Sequence, residues 1–516
     1  MLMKQNLLVK RCRMCLTLLL ALILLPAGGA AQSEIHLDVL VPGALPHLIP
    51  ESEKYNVVSL SVKGELNGDD LRMLREMAGS DVNGSATPGI LENLDLSEAR
   101  MVAGGDPYFS LEVGDGTMQH YYASNDSLGF AAFYRCGSLK RVVLPESLSV
   151  IGDRAFSSCG SLAELVCPEN VKSIGAYAFS SCISLTQIVL PAGLTEIGEN
   201  AFQACYSIRS LNIPGGIKKL EDYAFFYCVN LSEVTLNEGL EEIGHQVFSF
   251  NSMKKLSLPA SVRKISPLAF FYTELRNLKI HPDNPELTVR ENVVYSKDLT
   301  HLKLFLQYGA DTFTVPGHVR VIDAQAFADL LYLLHPENYP EDTSVGKPTL
   351  KKIILNPELE KVEYGAFALT TDYTVLEEIV CPSINPPACG TQDGEQYWED
   401  VFFMNEEGYG LTVLRVPEGC GQRYREALGW RKFQHILETD LTGIEGMEAS
   451  DDWKLQPVAG GVKVLQAPAG AELRVYDLQG RLLHQLRANG AEISIPLPAG
   501  SVYVVKVNGV SRKVVL

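Results

Sequence analysis

The sequence predicts an α/β repeat fold that is rich in β-structure: a right-handed solenoid with parallel strands, followed by a small antiparallel β-sandwich. In the middle of the chain, phenylalanine, cysteine, proline and isoleucine recur with one common period of 23 residues. Each period contains a short apolar segment of alternating pattern that ends in proline, and strand-like runs separated by turn residues fill the end of the chain. A fixed period of this length is the signature of stacked repeats, in which each unit packs only on its neighbours.

The composition excludes several classes of protein. The chain has 516 residues, of which 46% are hydrophobic and 21% charged, as in a folded soluble protein and unlike a disordered chain. Its formal net charge is −18. We expect no nucleic-acid partner, because contacts to phosphates need clustered Lys and Arg side chains.

The first residues have the order of an export signal. Four basic residues and no acid open the chain: Lys4, Lys10, Arg11 and Arg13. The apolar run Leu16–Leu25 and a stretch of small residues ending at Ala31 follow. This order predicts a signal peptide over residues 1–31. An uncleaved anchor is the alternative, but the run is shorter than the roughly 20 residues that span a bilayer. We therefore expect an exported protein, at the outer-membrane surface or extracellular, with no transmembrane segment in the mature chain.

The repeat columns define the solenoid, over residues 130–438. Six phenylalanines keep the 23-residue spacing: Phe133, Phe156, Phe179, Phe202, Phe225 and Phe248. Five cysteines keep it as well: Cys136, Cys159, Cys182, Cys205 and Cys228. In one unit Ile188 and Leu190 alternate with an outward position and Pro191 follows, as expected for a short strand that a proline ends.

The remaining segments are predicted to flank or interrupt this solenoid. Residues 32–129 are expected to form an N-terminal cap, with an irregular repeat and a helix capped by Asp69 or Asp70. A hairpin insertion is expected near 284–319, and a polar linker over 439–450. The final residues, 451–516, are predicted to form the sandwich, because turn residues separate strand-like runs there.

The repeat unit resembles a known class. The pattern I-G-x-x-A-F-x-x-C-x-S-L-x-x-L-x-L-P, specific from about Ser127 to Pro259, is similar to the leucine-rich repeats of BspA-like surface proteins of host-associated microbes. This resemblance implies a leucine-rich-repeat solenoid and a role in adhesion. The strings VYDLQGRLLHQL and IPLPAGSVYVVKVNGVSRKVVL resemble the C-terminal sorting domain of type IX secretion, which would imply recognition by an outer-membrane export machine. An ordinary β-sandwich module is the alternative.

The cysteine column has three interpretations. Buried structural thiols are favoured, because a zinc site needs four ligands that converge on one point and not a row along an axis. Disulfides between coils and a metal site are the alternatives, and a pair between Cys389 and Cys420 stays open. We expect no cofactor and no metal.

Two surface features are candidate binding sites. A basic group lies at one end of the predicted sheet, and an aromatic stripe follows the repeat phenylalanines. The members of the basic group are Lys254, Lys255, Arg276 and Lys279. The members of the aromatic stripe are Phe226, Tyr227, Phe250, Phe271 and Tyr272. Ordinary solubility explains the lysines equally well, and packing against the predicted insertion is the alternative role of the rings.

No catalytic motif was found among the Ser, His and glycine-rich signatures. The sequence therefore favours a non-catalytic, monomeric protein that binds a host or microbial surface protein. A glycan-binding protein is the second hypothesis. An enzyme that uses an unrecognised pair of carboxylates is the third.

Overall fold

The computed structural model describes most of the chain beyond the N-terminal segment. The described residues are 34–273, 275–307, 310–327, 350–367, 376–393, 396–398, 406–441, 454–458, 460–465, 467, 471–477, 481–488, 492–498, 502–507 and 510–515. The predicted signal peptide lies outside them, as does most of the predicted linker, and both stay predictions.

The first described segment covers the end of the repeat stack. Its elements are β1 (Ile35–Val39), α1 (Leu45–Leu48), a 3₁₀ turn (Lys54–Asn56), β2 (Ser59–Leu66), α2 (Gly68–Met77), β3 (Asn93–Asp95), β4 (Ala99–Met101), β5 (Gly104–Glu112) and β6 (Met118–Ala123). Strands β1, β2 and β3 pair in parallel and continue into the sheet of the repeats, whereas β5 and β6 form an antiparallel hairpin.

The N-cap of α2 differs from the prediction. The capping residue is Asn67, whose side chain accepts a hydrogen bond from the amide of Asp69 at 3.0 Å. Asp70 instead occupies the third helical position, and its carboxylate accepts from the amides of Asn67, Gly43 and Leu45. The prediction of Asp69 or Asp70 was wrong because the chain enters the helix earlier and uses Asn67 in a capping box.

The first strand of each coil contributes to one side of the solenoid, here called the strand face, which is divided into several sheets. Its members after β3 are β8 (Arg141–Val143), β10 (Glu164–Val166), β12 (Gln187–Ile188), β14 (Ser210–Ile213), β16 (Glu233–Leu236), β18 (Lys255–Leu258), β20 (Asn277–Ile280), β24 (Thr312–Thr314), β26 (Lys352–Ile354), β28 (Glu378–Val380), β32 (Val413–Pro417) and β33 (His435–Thr439). Neighbouring strands that pair are parallel, and Val142, Leu165 and Ile188 lie side by side at the 23-residue spacing. The predicted parallel solenoid is confirmed.

Shorter strands form a second ladder on the opposite side, here called the back ladder. They are β7 (Ser127–Leu128), β9 (Val150–Ile151), β11 (Ser173–Ile174), β13 (Glu196–Ile197), β15 (Lys219–Leu220), β17 (Glu242–Ile243), β19 (Lys264–Ile265), β25 (Val321–Ile322), β27 (Lys361–Val362) and β29 (Ala388–Cys389). A glycine follows the strand in many coils, and a Cβ atom on Gly152 would lie 2.7 Å from the carbonyl oxygen of Leu128. The close approach of successive coils therefore requires glycine here.

The column of phenylalanines fills the space between the two ladders. Phe133, Phe156, Phe179 and Phe202 are fully buried, and consecutive rings stack face to face with centroids 5.1–5.4 Å apart. Each coil thus covers the ring of the next, which a single coil cannot do for itself.

The chain departs from the repeat between residues 284 and 319. Strands β21 (Leu287–Arg290) and β22 (Val293–Ser296) form an antiparallel hairpin, and β23 (His301–Phe305) pairs antiparallel with β22 and parallel with β25. The later coils end at α4 (Gly421–Glu426), a 3₁₀ turn (Trp430–Lys432) and β33, where Trp430 and Phe433 are buried. Before them lie β30 (Thr391–Asp393), β31 (Gln396–Trp398) and α3 (Glu406–Leu411).

The C-terminal part contains only antiparallel pairs among its described residues. Its strands are β34 (Lys454–Val458), β35 (Gly461–Leu465), β36 (Glu472–Asp477), β37 (Leu482–Arg487), β38 (Glu492–Pro496), β39 (Val502–Val507) and β40 (Val510–Val515). They form a three-stranded and a four-stranded sheet, whose buried side chains, such as Val464 and Val505, share one apolar core. This arrangement agrees with the predicted antiparallel sandwich.

Candidate functional site

The coil from Leu231 to Met253 is a residue shorter than those before it, and the coil from Met253 to Leu275 is equally short. Phe225 and Phe248 keep the 23-residue spacing, but Leu231 and the equivalent Met253 are only 22 residues apart. The missing residue lies between Asn251 and Met253, where the chain leaves the turn and enters β18. The shortening therefore acts directly on the strand face.

The strand face is interrupted at this coil, as it also is between β12 and β14, where the 23-residue spacing is kept. Strand β16 pairs with β14, and β18 pairs with β20, whereas no ladder joins β16 to β18 among the described residues. A cleft of about 400 Å³ lies at the interruption. Its volume is within the range of known ligand sites, about 300–1,000 Å³.

The cleft is lined by alternate side chains of three strands. Its apolar base is formed by Val234, Leu236 and Leu256. The polar side chains that line it are Glu233, Thr235, Lys255, Ser257, Asn277 and Lys279. All six polar residues are exposed, because successive strand residues point to opposite faces and the apolar ones turn inward.

The charges of the cleft lack the ion pairs seen elsewhere on this face. In an intact part of the ladder, Arg141 Nε lies 3.2 Å from the carboxylate of Glu164 on the next coil. Glu233 and Lys255 occupy the same two positions across the interruption, but among the described residues neither forms an ion pair, and neither does Lys279. The site therefore offers two ammonium groups and one carboxylate to solvent.

The structure separates the two predicted groups of binding residues. Lys255 and Lys279 lie in the cleft, whereas Lys254 and Arg276 are exposed next to it and outside its lining. None of the stripe's rings lines the cleft. The shortened spacing was visible in the sequence, but its effect on strand pairing was not, because pairing depends on how two coils stack.

The aromatic stripe is a packed cluster with partly exposed rings. The rings of Phe250 and Tyr272 stack at 4.8 Å, and Phe226 meets Phe250 edge-on at 5.4 Å. Phe271 is only 6% exposed, so it supports the cluster from inside and offers no surface to a ligand. Sequence reasoning missed Tyr206 and Tyr223, whose rings extend the cluster against Tyr227 and Phe226.

Three rings of the stripe lie on strained backbone. Tyr227, Phe250 and Tyr272 have φ values of 62°, 59° and 57°, in the left-handed region that bulky side chains rarely adopt. The equivalent position in earlier coils also has positive φ, but it carries smaller side chains such as Ser158, Ser181 and Ala204. The turn therefore does not need aromatic residues at this position.

The cysteine column is structural. The described cysteines, Cys389 and Cys420 included, form no disulfide, and the five in the column are fully buried. The thiols of Cys159, Cys182 and Cys205 each donate to the carbonyl of a phenylalanine 26 residues earlier, at 3.0–3.2 Å. Burial raises the pKa of Cys182 to about 12. These thiols therefore tie consecutive coils together and stay protonated.

Asn251 replaces the thiol in the shortened coil. Its amide nitrogen donates to the carbonyls of Phe225 and Ser249, both at 3.3 Å, but its side-chain oxygen is buried without a hydrogen-bond partner. An unsatisfied buried acceptor costs free energy, so the column is weakest at the coil where the strand face opens.

Within the described ranges, no group of three or more His, Cys, Asp or Glu side chains is arranged to hold a metal ion. In the same residues, no helix is long and apolar enough to cross a membrane.

Comparisons with known proteins agree with the repeat architecture. The BspA type leucine-rich repeat region matches residues 120–231 and 195–333, in six copies. No curated protein matches the chain.

Several solved structures are similar to this chain. A leucine-rich cell surface protein from Faecalibacterium prausnitzii is 20% identical, with a TM-score of 0.42, over 66% of this chain and 96% of its own. A leucine-rich repeat protein from Bacteroides ovatus is 19% identical, with a TM-score of 0.35, over 66% and 98% of the two chains. The T. pallidum leucine-rich repeat protein is 34% identical, with a TM-score of 0.21, over 24% of this chain and 69% of its own. The strand register and the six matched repeats together identify residues 120–333 as a BspA type leucine-rich repeat region.

Proposed function

We propose that the protein is an exported, non-catalytic surface protein that binds another protein through its strand face and serves in adhesion. The observation that carries this proposal is the cleft between β16 and β18, whose charges form no ion pair among the described residues, unlike Arg141 and Glu164 on the same face. A cleft at a break between two strands presents polar groups that a partner protein satisfies on binding.

The face next to the cleft also supports a protein partner. Val189 is 74% exposed and Val166 40% exposed, and both lie on strands or strand ends of the same face. Exposed apolar side chains beside a polar site are typical of protein interfaces, in which an apolar centre is surrounded by a polar rim.

A binding screen tests this proposal. Residues 32–516 would be measured against a panel of purified host matrix proteins, with a double variant Lys255→Glu/Lys279→Glu that reverses the charges of the cleft. The matched control is Lys172→Glu/Lys218→Glu, which makes the same change of charge just before β11 and β15 on the back ladder. We expect a partner whose affinity falls in the first variant alone. Failure of every panel member to bind would contradict the proposal.

Glycan binding is a second candidate, favoured by the half-exposed stacked rings of Phe250 and Tyr272. Flat aromatic surfaces of this kind receive flat apolar faces of a ligand. A glycan array with the wild-type protein and with Tyr227→Ala/Tyr272→Ala tests it. A signal that survives the loss of both rings would remove the stripe as a glycan site.

The C-terminal sandwich is proposed as a sorting domain for export. Its antiparallel strands support this role only as a compatible fold, and the assignment rests on the sequence resemblance. Deletion of residues 451–516 should abolish surface display while the protein is still synthesised. Unchanged display would contradict the sorting role.

A further inference from the structure

The cleft between β16 and β18 has a charge pattern that specifies more than a general protein partner. Lys255 and Lys279 are both exposed and unpaired among the described residues, on a chain whose formal net charge is −18. Two free ammonium groups side by side therefore attract an anionic group against the overall charge of the protein.

The spacing of the two lysines follows from the strand register. Lys255 pairs with Asn277, and Lys279 pairs with Ser257, so the lysines lie on adjacent strands and two residues apart along them. Strand spacing and rise per residue place their Cα atoms roughly 8 Å apart. In an extended peptide, side chains at positions i and i+2 lie on the same side at roughly 7 Å.

The rest of the lining suits a peptide backbone. Asn277 offers amide donors and an acceptor, and Thr235 and Ser257 offer hydroxyl groups that both donate and accept. Glu233 faces this row from the other side of the interruption and accepts hydrogen bonds. No aromatic ring lines the cleft, so a flat stacking surface for a sugar is missing from its lining.

We propose that the cleft binds an extended segment of a partner protein that carries acidic side chains at positions i and i+2. Lys255 and Lys279 bind the two carboxylates, and the polar side chains of Thr235, Ser257 and Asn277 bind the peptide backbone. This inference rests on the proposed function and specifies the part of the partner that is recognised.

Two labelled peptides of equal composition test the proposal. The first, Gly-Ser-Glu-Thr-Glu-Ser-Gly, has acids at i and i+2, and the second, Gly-Ser-Glu-Glu-Thr-Ser-Gly, has them at adjacent positions. Fluorescence polarisation with residues 32–516 should show tighter binding of the first peptide. Lys255→Glu/Lys279→Glu should weaken that binding by about tenfold or more, since each exposed attraction becomes a repulsion. The control Lys172→Glu/Lys218→Glu should leave it unchanged.

Further arms separate this proposal from its alternatives. Lys255→Gln/Lys279→Gln removes the charges without adding repulsion and should also weaken binding of the first peptide. Unchanged binding would overturn the proposal, provided that the variant unfolds like the wild type. Oligogalacturonate, an anionic sugar chain, should bind more weakly than the first peptide. Equal or tighter binding of the sugar, or equal binding of the two peptides, would also overturn it.

Failure of this proposal is distinguishable from failure of the proposed function. If a matrix protein binds and the first peptide neither binds nor competes with it, only the acidic-segment proposal is overturned. If neither a matrix protein nor a peptide binds, both are overturned.

Discussion

The coils from Phe133 to Phe225 and the two that follow, at Phe248 and Phe270, are built from the same repeat, but they differ in how tightly their rings stack. Consecutive rings in the first group are 5.1–5.4 Å apart. The spacing rises to 5.8 Å between Phe225 and Phe248 and to 6.1 Å between Phe248 and Phe270. The change occurs at the coil that lacks one residue, where the strand face also opens.

The comparison shows that the two sides of a coil respond differently to the missing residue. The phenylalanine column spreads but stays buried and stacked, because ring contacts tolerate shifts of a few tenths of an ångström. Strands β16 and β18 form no ladder, and neither do β12 and β14 at the full spacing, because backbone hydrogen bonds require a narrow range of distances and angles. A change that the core absorbs therefore creates a cleft on the surface.

Removal of a core phenylalanine ring should have the largest effect on the free energy of unfolding. The size of this effect should differ between the closely stacked and the more widely spaced coils. Phe179→Ala should lower the free energy of unfolding by roughly 3–5 kcal/mol, because it removes a ring stacked on both sides. Phe248→Ala should cost less, since its contacts are already longer. Urea unfolding measures both. An equal loss of free energy of unfolding in the two variants would mean that the distance between the rings does not determine how strongly they stabilise the fold.

Restoring the missing residue should close the cleft. Insertion of one Asn between Ser252 and Met253 returns the coil to the 23-residue period and should allow β16 to pair with β18. Two new hydrogen bonds at about 1 kcal/mol each would stabilise the protein by about 2 kcal/mol.

Hydrogen exchange of the amides in β18 and peptide affinity are the readouts of that insertion. Exchange should slow and peptide binding should be lost. The control is an Asn inserted after Gly114, in the open turn of the β5–β6 hairpin. Unchanged exchange in β18 would show that the short coil is not the cause of the interruption.

The buried thiols of the regular coils should make stability depend on alkaline pH. Burial raises the pKa of Cys136, Cys182 and Cys228 to about 12, whereas an unfolded thiol has a pKa of about 8.5. The unfolded state therefore releases protons first. Each thiol's contribution is fully present below about pH 8.5 and decreases by about 1.4 kcal/mol per pH unit up to about pH 12.

Equilibrium unfolding between pH 8 and 10 measures this loss. Cys182→Ala removes one titrating group and should reduce the slope by the share of one thiol. A slope that the substitution leaves unchanged would rule out the thiols as its source.

Substitution of a residue in the cysteine column should have the smallest effect on stability. Asn251→Cys replaces a buried amide oxygen that has no partner with a thiol of the kind used by the four preceding coils, and should stabilise the protein by about 1 kcal/mol. Cys205→Asn is the converse and should destabilise it. Opposite signs in thermal unfolding are expected, and stabilisation by Cys205→Asn would contradict this account of the column.

Much of the fold was predictable from the sequence because its information is local and repeated. The alternation of Ile188 and Leu190, the proline after them and the phenylalanine column indicated which residues turn inward, and these residues are buried. The N-cap of α2 was missed because three nearby residues all suit that position. They are Asn67, Asp69 and Asp70. Only the path of the chain from Gly43 and Leu45 decides among them.

The candidate site was predictable only in part. Lys255 and Lys279 were named from the columns of outward residues, and both line the cleft. Glu233, Thr235, Ser257 and Asn277 belong to the same columns, but nothing in their pattern marked them as a site. The stripe was predicted either as a binding surface or as rings packed against the insertion, and the structure buries Phe271 in contact with Tyr272 while the other rings are partly exposed.

The sequence by itself determined the period, the inward residues and the parallel stacking, since each follows from a pattern that neighbouring coils share. The tertiary structure alone decided where the strand face opens and which charges remain unpaired. The reason is physical: burial is a property of one residue type at one position, whereas a ladder and an ion pair each require two coils to meet in register. In the shortened coils after Asn251 the core residues stay buried, whereas β16 and β18 do not pair.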